Sequence, residues 1–197
     1  GMWKKIEEGR MREYMSEGRP DMGGLLDLSP SLVLIPPGTD KNIRTWLEEL
    51  NFPVVVHRGN EEPGPLGRAE WIKFTALFLG KGREAEELFD YIASEYLRVR
   101  DAAQQAAAAA GSERPLVLAG KPGPGGWEAP GAESYTARLI ADAGGRYLWA
   151  DREGAGMVHL PMDVALEAAK EADVWILPDA GWETFSDAAA ADERVTE

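Results

Sequence analysis

The sequence predicts an α/β protein: two β/α lobes with parallel sheets, joined by one long helix. Three observations carry that expectation. Short apolar runs at residues 31–35, 53–57, 115–119 and 173–177 alternate with helical stretches. Runs of this kind read as strands buried on both faces, the mark of a parallel sheet. Strand-helix-strand order recurs on both sides of the chain and calls for right-handed crossovers. Between the two sides, residues 83–110 read as helix without a break, a rod of roughly 40 Å. That is too long for a small lobe.

Taken in order, residues 3–17 alternate charged and apolar side chains at helical spacing and predict a helix that Gly23-Gly24 breaks. Residues 25–28 suit a short helix, and Pro30 opens the first apolar strand. Pro36-Pro37-Gly38 ends it. Asp40 can cap a helix over 41–50, with Ile43, Trp46, Leu47 and Leu50 on one face. The strand at 53–57 completes a β-α-β unit. Residues 66–79 read as helix, and Gly80-Lys81-Gly82 as a break before the long helix, which Gly111 terminates. After the strand at 115–119, the Gly- and Pro-rich stretch 120–131 reads as a loop. Helix is predicted over 134–143, a short strand at 147–149, helix over 161–171, a strand at 173–177, and helix in the last stretch from 182. In open parallel sheets, ligands sit beyond the carboxyl ends of the strands. The division expected is an incomplete β/α lobe over 1–64, a helical segment over 65–111, and a truncated β/α lobe over 112–197.

Composition narrows the function. The 197 residues carry a formal net charge of -13, which argues against a nucleic-acid partner. There are no cysteines, so disulfides, thiolate metal sites and a cysteine nucleophile are excluded. The two histidines, His57 and His159, are too few for a histidine metal cage. No apolar run approaches the length of a membrane span. Gly1 before Met2 reads as an expression remnant and is set aside. No nucleophile elbow, paired-carboxylate motif or phosphate loop can be read from spacing, so no catalytic residue, metal site or cofactor is expected.

Several residues remain as candidates for binding. Trp127 lies mid-way in the 120–131 stretch, which is either a plain connector or, with an exposed indole at a strand's carboxyl end, a platform for a flat ligand. Arg68 and Glu70 open the helix after the second strand. They are either ordinary members of an amphipathic helix or, for Arg68, a bidentate partner of an anionic ligand. His57 ends a strand and His159 lies near a helix start; either is open to a ligand or an acid/base role. Trp46 and Trp175 sit on core faces.

Several segments resemble a known family. Leu28-Ser29-Pro30-Ser31-Leu32-Val33-Leu34 is similar to a strand entry of the metal-chelate binding proteins of ABC importers. Pro65-Leu66-Gly67-Arg68-Ala69-Glu70-Trp71-Ile72-Lys73 resembles a segment of the iron-siderophore binding proteins. So does the run from Ser134-Tyr135 to Ala143-Gly144-Gly145, with Tyr147-Leu148-Trp149 after it. Ala172-Asp173-Val174-Trp175-Ile176 resembles the second-lobe strand. The resemblance implies a class III solute-binding protein, with residues 83–110 as the helix between lobes. It implies an iron siderophore, haem or cobalamin as ligand, delivered to an ABC importer permease, and no enzymatic activity. Ligand contacts would fall on Trp127, Ser134, Tyr135, Arg68, Trp71 and His57, and permease contacts on Asp163 and Glu70.

Family members extend further at both ends, so missing edge elements and self-association into a homodimer are expected. The resemblance also implies an extracytoplasmic site of action, periplasmic or lipid-anchored, with the leader absent from the chain as given. The alternatives from other classes are a truncated interaction module that binds no ligand and a Rossmann-like enzyme.

Overall fold

The computed structural model describes residues 2–9, 15–16, 19–111, 114–176, 185–191 and 193–196. The chain divides into two compact units, residues 1–58 and 59–197. The long helix therefore falls inside the second unit.

In the first unit, α1 (Met2–Glu7) is shorter than expected. Gly9 leaves the helix at φ 67°, a conformation that costs glycine little. Residues 15–16 belong to an antiparallel pair, β1 (Met15–Ser16) with β2 (Arg19–Pro20), rather than to helix. The expected helix over 10–14 lies outside the described residues. Asp21 caps α2 (Met22–Leu28) by accepting the Gly24 N–H at 3.0 Å. Gly23 and Gly24 thus lie inside a helix rather than breaking one. The β-α-β unit follows as β3 (Val33–Ile35), α3 (Lys41–Glu49) and β4 (Val54–Val56), with the strands parallel and Val33 opposite Val54. Asp40 caps α3, its Oδ1 accepting the N–H of Asn42 at 2.7 Å. Leu47 of α3 is 2% exposed.

The second unit opens with a 3-10 turn at Gly59–Glu61, then α4 (Pro65–Leu77) and α5 (Gly82–Ala110). Pro65 suits the first turn of α4, where its missing N–H costs nothing. A parallel sheet runs in the order β10-β5-β8, made of β5 (Leu116–Ala119), β8 (Arg146–Tyr147) and β10 (Val174–Ile176). On one face Val117 and Ala119 pack with Ile140 of α6 (Tyr135–Asp142). On the other, Leu118 and Trp175 pack with Trp127, Trp149, Leu160, and with Met162 and Ala165 of α7 (Met162–Ala169). α5 is fastened to α6 at its far end. Tyr96 donates its hydroxyl to Asp142 Oδ2 at 2.7 Å. Gln104 Nε2 donates to the carbonyls of Ala141 and Asp142. The helices come so close there that a Cβ on Gly144 would lie 2.9 Å from the Ala107 methyl.

The expected loop over 120–131 is mostly sheet. β6 (Lys121–Gly123) and β7 (Gly126–Pro130) form a hairpin around Pro124-Gly125, and β9 (Met157–Leu160) pairs antiparallel on the other side of β7. Pro122 is tolerated because β6 is an edge strand. The hairpin leaves β5 through Gly120, at φ 116°, where a Cβ would stand 2.2 Å from the Glu128 carbonyl oxygen. The last described elements are α8 (Phe185–Ala191) and a 3-10 turn at Glu193–Thr196. Residue 177 of the last expected strand lies outside the described residues. No helix among the described residues is long and apolar enough to cross a membrane.

Candidate functional site

Two helices of the second unit bring three of the predicted site residues together. Arg68 projects from the first turn of α4. Its Nη2 donates to the backbone carbonyls of Asn60 at 3.1 Å and Glu62 at 3.3 Å, which ties the 3-10 turn to the helix. The guanidinium carbon lies 3.9 Å from the centre of the Tyr135 ring. A cation over an aromatic face at that distance is attractive. Arg68 Nε is buried without a hydrogen-bond partner among the described residues. Tyr135 is the first residue of α6, and its hydroxyl has no hydrogen-bond partner among the described residues. Ser134 stands beside it as the N-cap, 6% exposed, its Oγ accepting the Ala137 N–H at 3.1 Å. The side chain of Ser134 is therefore engaged in starting the helix that presents Tyr135.

One turn further along α4, Trp71 donates its indole N–H to Glu62 Oε1 at 3.1 Å. Its ring meets Phe74 edge to face, with centroids 5.0 Å apart. Glu62, Gly67, Glu70, Trp71 and Phe74 line a groove of about 370 Å³. Tyr135 also borders a second, apolar cavity of about 410 Å³, between α6 and the β10 side of the sheet, with Val117, Leu139, Val174 and Ile176. Sequence reasoning missed Glu62. The signal was present: α4 begins at Pro65 with no side-chain cap from Gly64, so an acidic residue just before it is free to fold back on the first turns.

Trp127 requires a correction. It is 2% exposed, on the central strand β7, with its indole N–H donating to the Ala119 carbonyl at 3.3 Å and its ring centroid 5.6 Å from that of Trp175. Strand alternation turns Trp127 and Ala129 into the core together. It is a core residue, not the exposed indole platform expected at the end of a strand. Trp175 packs against the same core, as expected.

The other candidates lie elsewhere. His57 belongs to the first unit, where its backbone N–H donates to Ile35 O at 2.8 Å. Glu70 is exposed and paired with Lys73 at 3.1 Å. Asp163 is exposed in the first turn of α7, on a groove of about 520 Å³ shared with Met162, Leu166, Glu167, Lys170 and Arg194. His159 is exposed on β9, opposite Glu128. Among the described residues no group of three or more histidine, aspartate or glutamate side chains could hold a metal ion.

Comparison with known proteins agrees with this architecture. The family described as "Periplasmic binding protein" matches residues 2–191. An uncharacterized lipoprotein of Methanocaldococcus jannaschii is 27% identical over 196 residues, 92% of this chain and 46% of that protein. A solved periplasmic heme binding protein from Pseudomonas aeruginosa superposes with a TM-score of 0.71 at 20% identity, covering 95% of this chain and 63% of that one. A possible iron-binding, periplasmic solute-binding protein from Staphylococcus epidermidis gives 0.63 at 11% identity, covering 84% and 65%. The chain spans about half the length of the curated relatives it matches. Parallel sheets, a long helix and a match over nearly all of the sequence lead to one assignment: the chain belongs to the periplasmic binding protein family, whose members bind solutes and are not enzymes.

Proposed function

We propose that this chain binds an iron chelate of the siderophore class, outside the cytoplasm, and hands it to the permease of an ABC importer. The observation that carries this reading is the Arg68–Tyr135 stack at the junction of α4 and α6. It offers a delocalised cation and a phenol hydroxyl without a partner among the described residues. A chelate is a large, polar, oxygen-rich ligand, and such groups suit hydrogen bonding to its periphery. The metal would arrive already wrapped. No protein side chain then needs to ligate the metal, in keeping with a chain that has no cysteine and only two histidines. Asp163, exposed on the surface of α7, is the proposed contact with the permease. Trp71 is kept as a proposed ligand contact.

Haem is the second reading, favoured by the likeness to a solved heme binding protein. Titration of the intrinsic tryptophan fluorescence with ferric siderophores, haemin and cobalamin separates these ligands. Saturable quenching by a ferric siderophore is the expected result. A response to haemin alone would favour the second reading, and no response to any of them would overturn both.

A further inference from the structure

The groove along α4 differs in chemistry from the Arg68–Tyr135 stack beside it. Its walls are the rings of Trp71 and Phe74, and its polar groups are the carboxylates of Glu62 and Glu70. Glu62 is held in place. Its Oε1 accepts the Trp71 indole N–H, and Gly67 leaves room for the carboxylate, since a Cβ there would come 3.0 Å from Oε2. Oε2 has no hydrogen-bond partner among the described residues. Glu70 is paired with Lys73 at 3.1 Å, so Glu62 is the groove carboxylate without an ion-pair partner among the described residues. Arg68 makes no ion pair with the Glu62 carboxylate among the described residues: its Nη2 donates to the backbone carbonyl of that residue, and its guanidinium carbon stands over the Tyr135 ring.

We infer that the groove formed by Glu62, Gly67, Glu70, Trp71 and Phe74 recognises an organic ammonium group. A fixed carboxylate gives such a group a charge-assisted hydrogen bond. Aromatic walls attract its charge and cover its alkyl stem. A carboxylate or phosphate in the same place would face the like charge of Glu62. Applied to the proposed ligand, the groove favours a chelate with a free ammonium arm over one whose only charged groups are carboxylates. That last step rests on the chelate reading; the preference for a cation does not.

The test uses the full chain and a simple probe, n-butylammonium, with butanol and butyrate as controls at matched ionic strength. The Trp71 indole N–H resonance, identified by its absence in Trp71→Phe, reports binding. The expected result is a saturable shift with butylammonium, with a Kd on the order of millimolar, and no saturable shift with either control. Glu62→Gln should weaken binding about tenfold. Glu70→Gln leaves the Trp71–Glu62 hydrogen bond in place and should weaken it by a smaller factor. No saturable shift, an equal response to butanol, or undiminished affinity in both glutamine variants would overturn the inference. Chelate binding that fails while butylammonium still binds counts against the proposed function alone, and the reverse outcome against the ammonium site alone.

Discussion

Residues 1–58 and residues 59–197 solve the same problem with unequal means. Both build parallel strands joined through helices. In the first region the described buried hydrophobic residues are Ile35 and Leu47, while Leu26, Leu28, Leu34 and Leu50 stay between 37% and 53% exposed. The second region buries Leu118, Trp127, Trp149, Leu160, Met162 and Ala165 in one cluster and packs Val117, Ala119 and Ile140 on the opposite side of the sheet. A two-stranded parallel pair with one helix has little apolar surface to bury. A three-stranded sheet packed on both faces has far more. The difference teaches where to look for stability and for the site: the stack of Arg68 on Tyr135 stands on the better-packed region.

That contrast can be broken by experiment. The largest effect is expected from Trp127→Ala, which empties the centre of the second core and should cost about 3–5 kcal/mol in urea unfolding. Leu47→Ala should cost about 2–4 kcal/mol, but only in signals from residues 1–58. One common transition shifted by both variants would show that the regions unfold together.

A smaller effect comes from Tyr96. Burial, and then its hydrogen bond to Asp142, push its hydroxyl up to about 12, against an ordinary value near ~10. The folded state holds that proton more tightly than the unfolded chain does. The resulting stability is fully present below about pH 10 and is lost as the pH rises through the folded value. Burial raises Tyr147 as well, so Tyr96→Phe should reduce the alkaline loss without removing it. An identical pH profile in Tyr96→Phe would deny the α5–α6 fastening its part. The smallest effect is Asp40→Ala, which removes the cap of α3 and should cost about 1 kcal/mol, read again from the first region alone.

The sequence made local rules legible and left contacts between distant segments obscure. Asp40 could be recognised as a cap from its own neighbourhood, and Gly80 and Gly111 as ends of helices. The β6–β7 hairpin was hidden because Pro122, Pro124 and three glycines look like loop, although an edge strand accepts proline. Trp127 was misread for the same reason: its burial depends on β9, a four-residue strand with no strong pattern of its own. The Arg68–Tyr135 stack joins side chains on helices far apart in the chain, and no periodicity announces it. Only the family resemblance had put both residues among the candidates.

Hydrogen exchange on the full chain, with and without the ferric siderophore that binds best, tests the central claim most directly. Added protection is expected at residues 60–71 and 134–138, where Arg68, Trp71 and Tyr135 are presented, and should be absent in Tyr135→Ala. Protection confined to other segments, or unchanged by Tyr135→Ala, would contradict the placement of the site at the α4–α6 junction.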